Sequence, residues 1–364
     1  MELTQKELEL WIASLPPIGP VKSQALLEHF GCEEEIYKAG EQALQQVTAL
    51  SKKDVQFLME NREVEKIKRL YAFMQQKEIR LVSVHDSEYP KKLRQIAKCP
   101  YALFVRGSLP SEKKLSVAIV GARKCTAYGR EIAGWFGREL SRGGIQVISG
   151  MAAGIDGASH WGALRGETAT YAVLGSGIDV CYPRENIELY THLIQQGGVI
   201  SEYGSGVKGQ PFQFPMRNRI ISGLCDAVLV VEARARSGSL ITADLGLEQG
   251  KDIFAVPGRI GDPLSEGCLN LIRQGAEPVL SPQDILDNFR IRRVEEAVLQ
   301  DEDTSSMTAS ERQIYKVLSL EPKHLNQILE DTELLMTEVI ELLLKMELEG
   351  MIKQTSQNCY IRAL

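Results

Sequence analysis

Between Ser116 and Leu280 the chain alternates two hydrophobic patterns. Short runs ("SVAIVG", "IQVISG", "TYAVLG", "GVIS", "DAVLVVE", "DIFAVPG" and "EPVL") are apolar at nearly every position. A strand with one wet face would alternate apolar and polar residues, so unbroken runs predict parallel strands covered on both faces. Between them, "AYGREIAGWFGRELSR" and "RENIELYTHLIQQGG" set apolar residues at helical spacing. Repeated strand–helix units with right-handed crossovers predict an α/β fold, a Rossmann-like, doubly wound and mostly parallel sheet over residues 81–290.

The flanks read differently. In residues 1–80, "LPPIGPVKSQALLEHFG" and "NREVEKIKRLYAFMQQKEI" predict short amphipathic helices in a small N-terminal helical domain. The first resembles a helix-hairpin-helix turn, with Pro20 where a second glycine is expected. Residues 291–308 are charged and Ser/Thr-rich, which predicts a linker. Beyond it, "ASERQIYKVLSL", "LNQILEDT" and "ELLMTEVIELLLKMELEG" predict three helices, and "MIKQTSQNCYIRAL" a hairpin, the order of a winged helix over 309–364. The third helix segment sets Glu333, Glu338, Glu341, Glu347 and Glu349 against Lys345, a charge balance that repels phosphates. A protein-contact or regulatory role is at least as well supported there as DNA binding.

Composition narrows the function classes. The 364 residues are 44 % hydrophobic and 25 % charged, ordinary for a globular chain of two or three domains. A net charge of −6 argues against binding polyanions over the whole surface and leaves room for a local basic patch. No apolar run approaches the ~20 residues of a membrane helix, and "MELTQKELEL" is too polar for a signal or transit peptide. Seven scattered cysteines without a CxxC pair point to a reducing compartment, hence the cytoplasm. The five histidines show no metal-ligand spacing, so neither a metal nor a cofactor is expected.

In an open parallel sheet, ligands bind beyond the carboxyl ends of the strands. Here Gly121, Gly150, Gly175 and Gly258 close strands, while Gly154, Ser176, Gly177 and Gly238 follow in the loops. Such turns let backbone N–H groups approach an anion, which predicts a phosphate-binding edge. The same loops gather cations. "GARKCTAYGR" supplies Arg123, Lys124 and Arg130 without an acid. Gly204 to Cys225 is also acid-free and holds Lys208, Arg217 and Arg219 with Phe212, Phe214 and Asn218. "EARARSGSLIT" adds Arg234, Arg236, Ser237, Ser239 and Thr242. Cations interleaved with aromatics suit a single-stranded nucleic acid, phosphates on the charges and bases on the rings.

Other motifs are excluded or bland. The literal GxGxxG at Gly204–Gly209 runs into "QPFQFP", whose prolines delay a helix, so it is not a dinucleotide fingerprint. No GxxxxGK[ST] occurs, which argues against a P-loop NTPase. Asp156 and His160 lie four apart, on one helix face. Asp156 is expected to cap the helix and His160 to pack behind it, with no catalytic residue assigned.

Taken in order, "VGARKCTAYG", "SGMAAGIDGASH", "VLGSGIDVCYP", "ISEY", "FPMRNRIISGL", "EARARSGSLITA", "AVPG" and "GCLNLIRQGA" closely resemble the DNA-processing protein A (DprA/Smf) family. The resemblance spans roughly 115–280, with a lead-in at 85–107. It implies a Rossmann-like protein without established enzymatic activity that binds and protects single-stranded DNA. It also implies loading of the RecA recombinase in natural transformation, and a homodimer formed through the Rossmann-like domain. The N-terminal segment then looks like the family's sterile-alpha-motif-like domain and the C-terminal one like its winged helix (DML1-like). By motif, Arg123 looks like the key phosphate contact, with Phe214, Arg217, Asn218 and Arg219 lining its groove and Lys208 the candidate basic residue of the preceding loop. Ala122 stands where Ser or Thr is more frequent. The alternative is a phosphoribohydrolase-like nucleotide-processing enzyme, but "RSGSLITADLGLE" departs from that family's PGGxGTxxE turn and places Glu248 late.

Overall fold

The computed structural model describes residues 3–291, 307–332 and 334–363. Most of the linker expected over 291–308, residues 292–306, lies outside the described residues. The chain opens with helices α1 (Gln5–Ala13), α2 (Pro20–Phe30), α3 (Glu33–Lys38), α4 (Glu41–Leu44), α5 (Lys52–Glu60) and α6 (Val64–Gln76). Pro20 is the first helical residue of α2, with Gly19 as its cap. Proline suits that position because its missing N–H would have no partner within the helix.

Then follow β1 (Arg80–Ser83), α7 (Lys91–Arg94), β2 (Ala102–Gly107), β3 (Ser116–Val120), α8 (Ala127–Arg142), β4 (Gln146–Ser149), α9 (Ile155–Ala163) and β5 (Thr170–Leu174). The unit continues with α10 (Ile187–Gln196), β6 (Gly198–Ser201), α11 (Gln213–Leu224), β7 (Ala227–Val230), α12 (Gly238–Glu248), β8 (Asp252–Ala255), α13 (Glu266–Arg273), β9 (Glu277–Pro278) and α14 (Pro282–Asn288). The nine strands form one sheet in the order β1-β2-β6-β5-β4-β3-β7-β8-β9. Pairing is parallel from β6 to β9 and antiparallel for β1–β2 and β2–β6. Every residue of β3, β4, β5, β6 and β7 is buried, which accounts for their unbroken apolar pattern.

Two hydrophobic clusters cover the sheet. One joins Ala118, Ile148 and Val228 to Ile220, Ile221 and Leu224 of α11. The other joins Val117, Val147 and Leu229 to Ile132, Phe136 and Leu140 of α8. A third runs from Leu10, Trp11 and Ile12 of α1 through Phe104 of β2 to Leu174 and Leu193, so the N-terminal helices share a core with the sheet. The C-terminal unit comprises α15 (Ala309–Val317), β10 (Lys323–His324), α16 (Leu325–Thr332), α17 (Met336–Leu348), β11 (Ile352–Ser356) and β12 (Cys359–Arg362), the helices and small sheet of a winged helix. It meets the larger unit through an ion pair of Lys353 with Glu131 (2.6 Å), another of Glu321 with Arg259, and packing by Leu320.

Helices α8 and α9 approach closely because small residues face each other. A Cβ added to Gly162 would stand 2.0 Å from the Gly134 carbonyl oxygen, a backbone atom that can only move with its helix. Gly162→Ala is therefore expected to push the helices apart and to cost about 2 kcal/mol, within the range of core overpacking. Thermal or urea unfolding measures this; an unchanged midpoint would show that the seam yields without cost.

Candidate nucleic-acid interface

The strand order runs outward in opposite senses from β3 and β7, so their carboxyl ends flank a topological switch point. A cleft of about 530 Å³ opens there. Gly121 and Arg123 reach it from the loop after β3, Ala152 from the β4–α9 connection, and Asp156 from the first turn of α9. Tyr182 comes from the loop after β5, Phe214, Arg217 and Asn218 from α11, and Arg236, Ser237, Gly238, Ser239 and Thr242 from the start of α12. The first turn of α12 thus borders the cleft, where a helix favours an anion.

The floor is held by a buried charge. Arg217 is 5 % exposed, and its Nη1 donates to the Gly150 carbonyl (2.9 Å) and to that of Val173. Burial pulls this guanidinium down to about 10, so it stays charged at neutral pH. Burial pushes the Asp156 carboxyl up, opposed by the Arg217 charge and by the N–H groups of Ala152 and Gly150. Those N–H groups donate to Asp156 Oδ2 at 3.4 and 3.1 Å. At Gly154 the chain enters α9 with φ +80°, and a Cβ there would lie 2.3 Å from the Ala122 carbonyl oxygen, so only glycine makes this turn without strain.

Above the floor stand exposed charges and rings. Arg123 and Arg236 are exposed, and neither has an ion-pair partner among the described residues. The Arg123 guanidinium lies over the Phe214 ring, 5.2 Å from its centroid. Tyr182, half exposed, is tilted against Phe214 with centroids 5.4 Å apart. Such a cluster offers a phosphate a cation and a base a stacking face.

The structure brings Gly121, Arg123, Phe214, Arg217, Asn218, Ser237, Gly238, Ser239 and Thr242 together in this cleft, and Gly150 to its margin. Other expected residues go elsewhere. Arg219 turns under α11 into a buried ion pair with Glu202 (2.6 Å). Gly177 donates its N–H to the Val207 carbonyl (2.7 Å), and the Ser176 hydroxyl donates to that of Val180, so this loop is satisfied internally. Gly175 backs the Phe214 ring. Gly154 borders a neighbouring groove, and Lys124 and Lys208 are exposed and do not line the cleft. Gly150 cannot offer its N–H to phosphate, because Asp156 holds it. Asp156 is not the helix cap: α9 begins at Ile155 with Gly154 as cap, and the carboxylate reaches back into the loop. The reading of Gly204–Gly209 as no dinucleotide turn stands, since α11 begins only at Gln213. Tyr182 was not expected. Its signal is an aromatic residue before proline in the loop of a glycine-closed strand.

His160 is fully buried behind the floor. Thr170 Oγ1 donates to the Val147 carbonyl (2.8 Å), so it accepts from His160 Nδ1 at 2.8 Å and fixes the neutral Nδ1–H tautomer. Burial and the Arg217 charge drive the imidazole down to about 3. In the winged helix, the exposed face of α17 carries Met336, Ile340, Leu344 and Leu348, and Lys345 is paired with Glu311 at 2.7 Å. That face offers apolar contact and no unpaired cation among the described residues.

Comparison with known proteins adds independent findings. The family described as "DNA recombination-mediator protein A" matches residues 80–290, and the "DprA winged helix domain" matches 299–358. "DNA processing protein DprA" of Bacillus subtilis is 39 % identical over 231 residues, 63 % of this chain and 78 % of the relative. The crystal structure of DNA processing protein A from Streptococcus pneumoniae superposes with a TM-score of 0.68 at 34 % identity, covering 80 % of this chain and all of that one. A structure described as giving the single-stranded DNA binding mode of DNA processing protein A from Helicobacter pylori has a TM-score of 0.52 at 27 % identity, over 58 % of this chain and 95 % of that one.

The buried imidazole makes a pH prediction. Below the ordinary histidine value of about 6.5 the unfolded chain takes up a proton that folded His160 refuses. Its contribution to stability is therefore expected to fall as pH drops from about 6.5 toward about 3. Ring ¹⁵N shifts should report neutral Nδ1–H imidazole at pH 8 and still at pH 5; protonation near pH 6 would contradict the assigned environment.

Proposed function

The chain belongs to the DNA recombination-mediator protein A family, also called DprA or Smf, and on that premise we propose that it binds single-stranded DNA in the cleft at the β3/β7 switch point. One observation carries this reading: the unpaired Arg123 and Arg236 share a cleft with the Phe214–Tyr182 ring pair. The single-stranded DNA binding described for the Helicobacter pylori relative supports it. Phosphates meet Arg123, Arg236 and the α12 turn, bases stack against the rings, and Arg217 holds the floor and adds its charge from below.

The finer parts of the proposal are protection of incoming DNA and loading of RecA recombinase in natural transformation, which rest on the family. A homodimer through the Rossmann-like unit is supported by Leu247, Ile260 and Leu280, large apolar side chains exposed on the elements around β8 and β9. A cytoplasmic location is supported by seven free cysteines. No helix among the described residues is long and apolar enough to cross a membrane. The working division is 1–80, 81–290 and 309–364.

We also propose that this is a binding protein and not an enzyme. The one carboxylate lining the cleft, Asp156, accepts two backbone N–H groups and is aimed into the loop. Glu248 ends α12, about 15 Å along the helix from the cleft-lining Gly238, too far for a catalytic glutamate in this cleft.

Arg123→Ala is expected to weaken binding of a thymidylate oligonucleotide and to lower the salt slope by roughly 0.7, one phosphate contact on a single strand. Filter-binding titrations at several salt concentrations measure both; unchanged affinity and slope would remove the cleft from the proposal. Incubation with AMP should yield no adenine by chromatography, whereas base release would put the hydrolase reading first.

A further inference from the structure

A second groove, of about 790 Å³, adjoins the cleft, and Arg123 lines both. It follows the seam of α8 and α9. Arg130 and Trp135 border it from α8, Trp161 from α9, and Arg165 from just past the end of α9. Lys353, in the wing of the C-terminal unit, closes one side. Arg130 and Arg165 are exposed and have no ion-pair partner among the described residues, whereas Arg138 is engaged by Glu139 at 2.9 Å. Three carboxylates also line the groove. Glu131 is neutralised by Lys353, while Glu185 and Glu188 border the groove from the start of α10. Trp135 and Trp161 are both half-buried and line the groove.

Cations without partners, spaced between aromatic rings and continuous with Arg123, repeat the chemistry of the cleft. We propose that a DNA strand held in the cleft continues past Arg123 into this groove, its phosphates on Arg130 and Arg165 and its bases against Trp135 and Trp161. The inference rests on the single-stranded DNA reading above. It makes the bound segment longer than the cleft, and it places the wing beside the emerging strand.

The tryptophans supply the readout. The chain has three, and Trp11 is buried among the N-terminal helices with its Nε1 donating to the Asn61 carbonyl (2.8 Å). Fluorescence of the full chain thus separates groove from cleft, whose rings are Tyr and Phe. Titration with thymidylates of about 5 and about 20 nucleotides, one near the short end of typical single-strand sites and one beyond them, makes the test. The long strand should bind more tightly and quench tryptophan emission, and the short one should bind with little quenching. The double variant Arg130→Ala/Arg165→Ala should lose roughly tenfold in affinity for the long strand and none for the short. Equal affinities and quenching for both lengths, or an unchanged double variant, would overturn the groove while leaving the cleft intact. Loss of binding to both oligonucleotides in the unmodified chain would instead overturn the DNA reading itself, and the groove with it.

Discussion

Arg217 is the point on which the functional edge is built. A guanidinium this deeply buried must find acceptors, and it finds them in the carbonyls that end β4 and β5. Its charge in turn makes room for Asp156, whose carboxylate gathers the N–H groups of the loop after β4. Two strand ends, one loop, the start of α9 and the body of α11 are thereby tied to each other before any ligand arrives. The exposed arginines and rings stand on a layer whose own polar groups are already satisfied.

Most of the architecture was legible in the sequence, because a parallel sheet covered on both faces writes itself as apolar runs with helical segments between. The functional edge was half legible. Residue type showed where cations and glycines collect, but it did not show direction. Arg217 and Arg219 illustrate the limit: two apart on α11, they point roughly 200° away from each other, so one faces the cleft and the other a buried glutamate. The glycine turns show a second limit. Their N–H groups were expected to receive phosphate, yet the chain's own Asp156 takes that of Gly150 and a neighbouring loop takes that of Gly177. Whether a backbone donor is free depends on contacts distant in sequence, which local spacing does not record.

Charge is arranged on the same principle. The chain carries a net charge of −6, yet the loops at the carboxyl edge hold arginines that nothing within the described residues neutralises. A net negative surface disfavours indiscriminate contact with polyanions, so the local cations stand out against it. The acidic, apolar-faced α17 fits that division, since its only lysine is tied to Glu311.

The cluster that joins α1 to the sheet has a consequence for how the chain can be cut. Leu10 and Trp11 belong to the same hydrophobic body as Phe104 and Leu193, so the join near residue 80 is covalently thin but sterically thick. A fragment beginning there would carry away an unclad oily flank, and its stickiness could be mistaken for affinity. The helical segment is the sheet's outer coat.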